Sequence, residues 1–430
     1  MGVNAGPARM RRILLFAYAC RPNEGSEPGV GWNLALELAR RYEVCVVTRS
    51  SNRMAISQAE GEIAELPLTF LYVDVPAWLA RLPPFRSVQA YYYVWQLVAA
   101  RTCREMGLSS RFDLAHHLTY AMYWAPSGAA FVGLPFIIGP VGGGDSTPRT
   151  LLHTLSWRSR AHEWLRQIIR GVAEWDPLVR STLRRASCVI ASTKATEDRV
   201  LRLGARRVER QLQIGLSDGE LSPVWPLSTQ VQEGELRLIC VGRLLGYKGF
   251  HLAIEAFAQA RLPRATLTVV GHGPERNILE RLTKAMGLEN QVVFTGGVNR
   301  NTALRLIAES DVLVHPSLHD SAGMVVLEAM AAGKPVLCLG AGGPAEMVTE
   351  GCGCVVPPDS RTVVVDALAA AMRTLAADRE LREAMGQEAV KRAGEYTWRR
   401  LTDYFTGLYD DVLQQRPSRQ RLKVGRVAAP

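Results

Sequence analysis

The stretch DVLVHPSLHDSAGMVVLEAMAAGKPVLCLGAGGPAEMV, residues 311–348, decides the fold class. It opens with a short apolar run, Val312-Leu313-Val314, closed by Pro316, which lacks the amide that a sheet ladder needs. A polar loop, residues 317–323, leads into helix formers with apolar side chains at Val325, Leu327 and Met330. Gly333 then stands where a helix C-cap would. A second apolar run (335–339), a second glycine-bearing loop (340–344) and another helical run repeat the unit. Strand, loop and helix twice over predict parallel strands with both loops beyond their carboxyl ends. There, open α/β sheets hold phosphates and other anions against helix N-termini.

Two carboxylates give the first loop its chemistry. Asp320 lies in the loop, and Glu328 follows about one turn into the helix beyond Gly323. A carboxylate can hold sugar or ribose hydroxyls there, while the amides of Gly323, Met324 and Val325 face a phosphate. The same residues also admit a plain reading, with Asp320 as a helix N-cap and Glu328 as a solvated helix residue.

The run DSAGMVVLEAMAAGKPV resembles the E-x7-E region of retaining, family-4 GT-B glycosyltransferases, usually written E-G-F-G-x-x-x-L-E-A-M-A-x-G-x-P-V. Glu328 matches the second glutamate, which that family uses on the nucleotide ribose. Asp320 stands in place of the first, which holds the donor sugar. The carboxylate is kept, and its reach is shorter by one methylene.

A chain of 430 residues is too long for one ordinary core, so two domains are expected. With 47% hydrophobic and 21% charged residues the composition is that of a globular protein rather than a disordered one. No apolar run is long enough to span a bilayer, and residues 13–20 lack a signal-peptide cleavage pattern, so a cytoplasmic location is expected. Cys45, Cys188, Cys240 and Cys338 sit inside apolar runs, and Cys352 with Cys354 has no second cluster to complete a metal site. Reduced thiols, no structural zinc and no catalytic metal are expected. The net charge of +10 favours anionic partners such as nucleotide diphosphates or an anionic membrane surface; no motif points to nucleic acid.

Residues 1–12 read as a loose leader in which Met10 is an alternative start, and 13–215 as the first domain. Its opening strand (13–20) feeds a loop with Gly25, Gly29 and Gly31, then a helix from about Gly31 to Tyr42 and a strand at 43–48. The glycine spacing is not a dinucleotide fingerprint. Gly29 and Gly31 would let a ligand approach the backbone closely, unless the loop is simply flexible. GSEPGVGW and the later run GPVGGGD (139–145) resemble cleft loops of a bacterial subgroup of the same family, and the second could form an anion nest. Further strands are expected at 68–75, 112–118, 135–139 and 188–192, with an aromatic-rich segment at 76–106. His116 and His117 end one strand, and after Asp113 the pair resembles the family's D-x-x-H histidine, which lies in the cleft. Which of the two faces the cleft stays open, as does a purely structural role.

Residues 151–175 carry Arg158, His162, Arg166 and Arg170 at four-residue spacing beside an apolar stripe of Trp164, Ile168, Val172 and Trp175. Such a helix can lie at an anionic membrane or cover its own domain. Packing is the expectation, because amphipathic helices usually face a core. Residues 216–235 carry glycines and prolines without long periodicity and read as the linker.

The second domain, 236–396, restarts with a strand at 236–241 and a loop containing Gly242, Arg243 and Lys248 before a helix. Arg243 offers a planar fork for phosphate oxygens and Lys248 a point charge. The loop matches the family's V-G-R-x-x-x-x-K-G motif. Gly271 and Gly273 resemble its V-G-x-G-P loop, and Val292-Val293-Phe294-Thr295-Gly296 its V-x-F-x-G strand, both lining the nucleotide pocket. Residues 397–415 resemble a helix that crosses back to the first domain, and 416–430, basic and without acid, are expected to be disordered.

The resemblance implies an α/β protein of GT-B type, two Rossmann-like domains facing across a cleft. It implies a retaining hexosyltransferase using a nucleotide diphosphate sugar and a glycan or lipid-linked acceptor, with no cofactor beyond the donor. Arg243 and Lys248 would hold the diphosphate, Glu328 the ribose, Asp320 the sugar, and His116 or His117 the opposite wall. A non-catalytic nucleotide-sugar-binding protein and a sugar-nucleotide epimerase on the same fold are the alternatives.

Overall fold

The computed structural model describes residues 9–83, 87–221 and 235–415. Two wholly parallel sheets organise them. The first runs β1 (Arg12–Ala17), β2 (Glu43–Thr48), β3 (Leu68–Tyr72), β4 (Leu114–Thr119), β5 (Phe136–Val141), β6 (Cys188–Ala191) and β7 (Val208–Arg210), in spatial order β3-β2-β1-β4-β5-β6-β7. The second contains β8 (Leu236–Val241), β9 (Ala265–Val270), β10 (Val292–Gly296), β11 (Val312–His315), β12 (Val336–Leu339) and β13 (Gly353–Val356), in order β10-β9-β8-β11-β12-β13. The central strands are buried along their length, because helices cover both faces; this is why they read as unbroken apolar runs.

The strands expected from those runs are present, within three residues of their expected ends. Several elements differ, among them β13, which lies in a segment expected to be a turn. The first helix spans Ser26–Ala39, five residues ahead of its expected start, because Pro28 suits a first helical turn where no amide is needed. β7 went unread: it is a three-residue edge strand, Val-Glu-Arg, whose charge suits an edge and hides its period. The aromatic segment contains an 18-residue helix, Val88–Glu105, whose Tyr92 and Trp95 are among the largest fully buried side chains.

The strand order reverses between β1 and β4 in the first sheet and between β8 and β11 in the second. Loops leaving the two strands at such a point run to opposite faces and open a crevice between them. The crossover helix Trp398–Gln414 returns to the first sheet, where Trp398, Leu401, Phe405 and Tyr409 share a core with Ile13, Leu15 and Leu34. Its entry is fixed by a short parallel bridge: Leu216 N donates to Tyr396 O at 3.0 Å, and Trp398 N donates to Leu216 O at 3.2 Å. In the opposite direction Leu151 and Leu155 pack into the core of the second sheet.

The helix Trp157–Ala173 is oriented opposite to expectation. Glu163, Arg166, Gln167 and Arg170 face the protein, Glu163 and Arg170 being 4% and 3% exposed, while Trp164 and Val172 are 69% and 68% exposed. All eight cysteines are unpaired. No helix among the described residues is long and apolar enough to cross a membrane. The expected leader, most of the expected linker and the basic tail fall outside the described residues apart from 9–12, 216–221 and 235.

Candidate active site

The loops after β8 and β11 meet at the second switch point. After β8, Gly242 and Arg243 lead into a short turn, Gly246–Lys248, and then a helix, Phe250–Ala260. After β11 the chain passes Asp320 and reaches Gly323, the N-cap of the helix Met324–Ala331. Gly323 has φ +72°, a left-handed conformation that a side chain would strain, and it turns the chain into the helix. Gly271, after β9, is needed for closeness: a Cβ there would lie 1.9 Å from the Gly242 carbonyl oxygen. Gly242, Gly271 and Gly273 thus lie in adjoining loops at the carboxyl ends of β8 and β9, partly exposed beside Arg243.

Across this point Lys248 Nζ lies 2.5 Å from Asp320 Oδ2. His315 Nε2 donates to the same oxygen at 3.2 Å, and the Gly323 amide donates to Oδ1 at 3.2 Å. Burial pushes the Asp320 carboxyl up, but the Lys248 ammonium and the His315 hydrogen bond outweigh it and hold the group well below its ordinary range. The buried His315 ring is pushed down and stays neutral, so its Nε2–H faces Asp320 and its Nδ1 lone pair is left unpartnered. Arg243 is exposed at the mouth of the same loop.

Glu328 is held separately. Arg300, first residue of the helix Arg300–Glu309, donates to its Oε1 from Nε at 3.1 Å and from Nη2 at 2.9 Å. Arg300 also reaches Glu220 at 2.6 Å, and Glu220 in turn accepts from Ser217. Burial raises the Glu328 carboxyl, and Arg300 offsets this only in part, so the net shift is upward. The glycine loop of the first domain lies against this group: a Cβ on Gly25 would sit 3.5 Å from Arg300 Cδ.

From the first domain, the glycine run meets the Asp320 loop directly. Gly143 N donates to Ser321 Oγ at 3.4 Å, and Ser321 Oγ donates to Asp145 Oδ2 at 3.1 Å. The Gly144 amide is already bound by Thr196 Oγ1 at 3.0 Å. Beside them Glu163 accepts from His319 Nε2 at 3.2 Å, and Tyr247 stacks on the same imidazole, with ring centroids 4.3 Å apart. Burial lowers His319 to a neutral ring, and Glu163 stays ionised beside Arg166. Ser156 and Ser159 both donate to Glu275 at 2.7 Å, closing the two domains along a second line.

Several expected residues lie elsewhere. His116 and His117 are both buried in β4, so neither stands in an open cleft. His116 donates from Nε2 to the Gly139 carbonyl at 2.8 Å and accepts at Nδ1 from the Tyr409 hydroxyl at 2.6 Å. Burial lowers it to about 4 and His117 to about 3. The His pair is a strand-end motif, and parallel strands with helices on both faces leave neither side of β4 open. Gly29 and Gly31 lie buried in the first helix, where the close approaches are made by the carbonyls of Glu24 and Ala19 rather than by open space. Sequence reading missed Glu27 in this helix's first turn, which accepts from the Tyr120 amide at 2.8 Å and whose carboxyl is raised to about 7 by burial. Tyr120, directly beyond β4, has φ +54°, and Ser26 has φ +58°; such backbone strain concentrates at functional sites. The signal available was an acid beside a glycine loop after the first strand. Arg300, Glu163 and His319 gave none.

Among the described residues no group of three or more His, Cys, Asp or Glu side chains could hold a metal ion.

Two family models match the chain, "Glycosyl transferase 4-like domain" over residues 25–214 and "Glycosyl transferases group 1" over 225–392. The chain is 28% identical over 258 residues to an alpha-D-kanosaminyltransferase of Streptomyces kanamyceticus, covering 56% of this chain and 64% of that protein. It is 28% identical over 230 residues to a lipopolysaccharide core biosynthesis glycosyltransferase of Rhizobium meliloti, covering 53% and 65%. The chain therefore spans just under two-thirds of the length of these relatives. The Anabaena protein HepE, solved in complex with UDP, shares the fold with a TM-score of 0.60 and 19% identity, over 94% of this chain and 100% of that one. Adjoining domain models on the two halves, and two facing parallel-sheet units joined by a returning helix, place the chain in the glycosyltransferase superfamily of GT-B fold.

Proposed function

We propose that the protein is a retaining glycosyltransferase that moves a hexose from a nucleotide diphosphate sugar to a glycan or glycolipid acceptor. The setting we propose is bacterial polysaccharide or glycoconjugate assembly at the inner face of the cytoplasmic membrane. One observation carries the reading: Lys248, Asp320 and the N-cap of the Met324–Ala331 helix converge at the switch point of the second sheet. That is the place where such sheets take phosphorylated ligands. Arg243 and Lys248 bind the diphosphate and offset the charge that develops as the nucleotide departs. Glu328, oriented by Arg300, binds the ribose, and Asp320 binds the sugar hydroxyls. The acceptor attacks from the face that the leaving group vacates, and a phosphate oxygen takes its proton. No cofactor or metal takes part in this scheme, so activity should survive EDTA.

A second reading has one observation in its favour. Asp320 already accepts from Lys248, His315 and the Gly323 amide, which would suit a protein that binds a nucleotide sugar without turning it over. A panel of UDP-, GDP-, ADP- and dTDP-sugars, assayed for thermal stabilisation and nucleotide release on wild type and Glu328→Ala, separates the two. One donor that stabilises the wild type, loses its effect in the variant and slowly releases nucleotide supports transfer. Stabilisation without release under all conditions favours a binding protein. No shift with any donor sinks both.

A further inference from the structure

The helix Trp157–Ala173 buries the side that a globular protein ordinarily exposes. Its inner face is a row of polar groups, each tied to the body. Glu163 bonds His319, Arg166 and Arg170 donate to the Asp145 carbonyl at 3.1 and 2.8 Å, and Gln167 donates to Ser146 at 2.7 Å. Just beyond the helix, Glu174 receives Arg199 at 2.7 Å. Turning the helix over would strand these buried charges, so its orientation is fixed by polar bonding.

The outward stripe is consequently apolar and uncovered. Trp157, Trp164, Leu165, Ile168, Val172 and, just past the helix, Trp175 are all exposed, Trp175 to 77%. Monomeric surfaces seldom leave so continuous a patch open without using it. The partner is indicated by charge. Next to Trp175 lies a depression of about 440 Å³, bordered by Arg180, Arg184 and Arg185. Arg180 lies 5.0 Å over the Trp175 ring and Arg185 5.8 Å over Phe131, and none of the three pairs with a carboxylate among the described residues. At the other end Arg158 is exposed beside the Trp157 ring. The acids of this region, Glu163, Glu174 and Asp176, are turned inward or engaged in hydrogen bonds.

We propose that this face is a membrane-docking surface: the tryptophan-rich stripe enters the interfacial layer of an anionic bilayer, and Arg180, Arg184 and Arg185 take lipid phosphates at its edge. A second copy of the chain would satisfy the apolar stripe but would set these arginines against their own counterparts. A stripe with tryptophans at both ends, flanked by cations and free of acids, is the pattern of a helix lying flat at a lipid surface. The proposal adds a docking surface to the membrane setting proposed above, and its test does not depend on the transferase reading.

The test is co-sedimentation of the full chain with phosphatidylcholine vesicles and with phosphatidylglycerol-rich vesicles, beside size-exclusion chromatography without lipid. Wild type is expected to bind the anionic vesicles and to release them in high salt. The Trp164→Glu, Ile168→Glu double variant should lose roughly tenfold or more in partitioning. Arg184→Gln with Arg185→Gln should lose the preference for anionic lipid. Unchanged thermal melts would show that these exposed substitutions leave the fold intact, and nucleotide release in solution reads the transferase activity separately. Binding that persists in both variants, as a docked basic C-terminal segment would give, overturns the proposal. So does absence of binding, or a lipid-independent dimer that Trp164→Glu dissolves.

Discussion

Lys248 Nζ and Asp320 Oδ2 lie 2.5 Å apart across the second switch point, although the function proposed above assigns them to different parts of a donor, its diphosphate and its sugar. The pair ties the loop after β8 to the loop after β11, and His315 bonds the same carboxylate oxygen. On the proposed function, a donor would divide this ion pair between its phosphate and its sugar hydroxyls, so the strength of the pair would bear on donor affinity as well as on the stability of the two loops.

Lys248→Met should destabilise the fold by on the order of 3 kcal/mol, because it leaves the Asp320 carboxylate largely buried without its cation. Adding Asp320→Asn should recover much of that loss, since the stranded charge is then gone. Urea unfolding of both variants reads the difference. A double variant as unstable as the sum of its parts would show that the pair is not coupled.

Arg300 should act on the donor through Glu328. Arg300→Ala removes both hydrogen bonds to Oε1 and frees burial to raise the carboxyl further. Donor affinity should fall roughly tenfold, the equivalent of about 1.4 kcal/mol, with a larger loss at low pH where Glu328 would protonate. An affinity that drops equally at every pH would point to a merely structural arginine.

Acid should unfold the first domain through its histidines. Unfolded His116 titrates near 6.5 and folded His116 near 4, so between these values the unfolded chain takes a proton that the folded protein refuses. Stability should fall as pH drops from about 6.5 towards 4, by roughly 3 kcal/mol at most for this group. Tyr409→Phe leaves His116 Nδ1 without its donor and should weaken the hold of the crossover helix. Denaturation curves for wild type and His116→Gln, compared at pH 7 and 5, check the slope. A slope unchanged in the variant would remove His116 as its source.

Glu27 should act in the opposite direction. Its folded carboxyl titrates near 7 against 4.5 unfolded, so the folded protein keeps a proton that the unfolded chain has lost. Raising the pH from about 4.5 to about 7 should therefore cost stability, on the order of 3 kcal/mol at most. Glu27→Gln should flatten this part of the profile while keeping a group that can accept from the Tyr120 amide. If Glu27 also meets the acceptor, the variant should alter the pH profile of turnover. A parallel profile with unchanged rate would confine Glu27 to the fold.

Much of the local structure around the candidate site is written in the chain. The run from Val312 to Leu339 could be divided into strand, loop and helix because a strand covered on both faces must be apolar throughout, whereas a loop ending at a helix needs glycine and polar groups. The same local logic places Arg243, Lys248, Asp320 and Glu328 near strand ends before any contact is known. At His116 and His117 a motif gives a position along β4 but not the packing around it, and the structure buries both rings. The local logic misplaced the start of the first helix, since Gly29 and Gly31 suggest a loop and only the carbonyls of Glu24 and Ala19, pressed against them, show why small residues stand there.

The sequence by itself determined that both halves are parallel α/β units, most of their strands and the loops that hold the candidate ligand-binding groups, since hydrophobic period and turn chemistry act over a few residues. Tertiary structure decided the rest: that Lys248 meets Asp320, that Arg300 holds Glu328, that Glu163 reaches His319, and that the Trp157–Ala173 helix turns its tryptophans outward. An amphipathic pattern defines two faces of a helix but not which one is buried. Here that choice fell to buried hydrogen bonds between groups far apart in the chain, whose desolvation would otherwise go uncompensated.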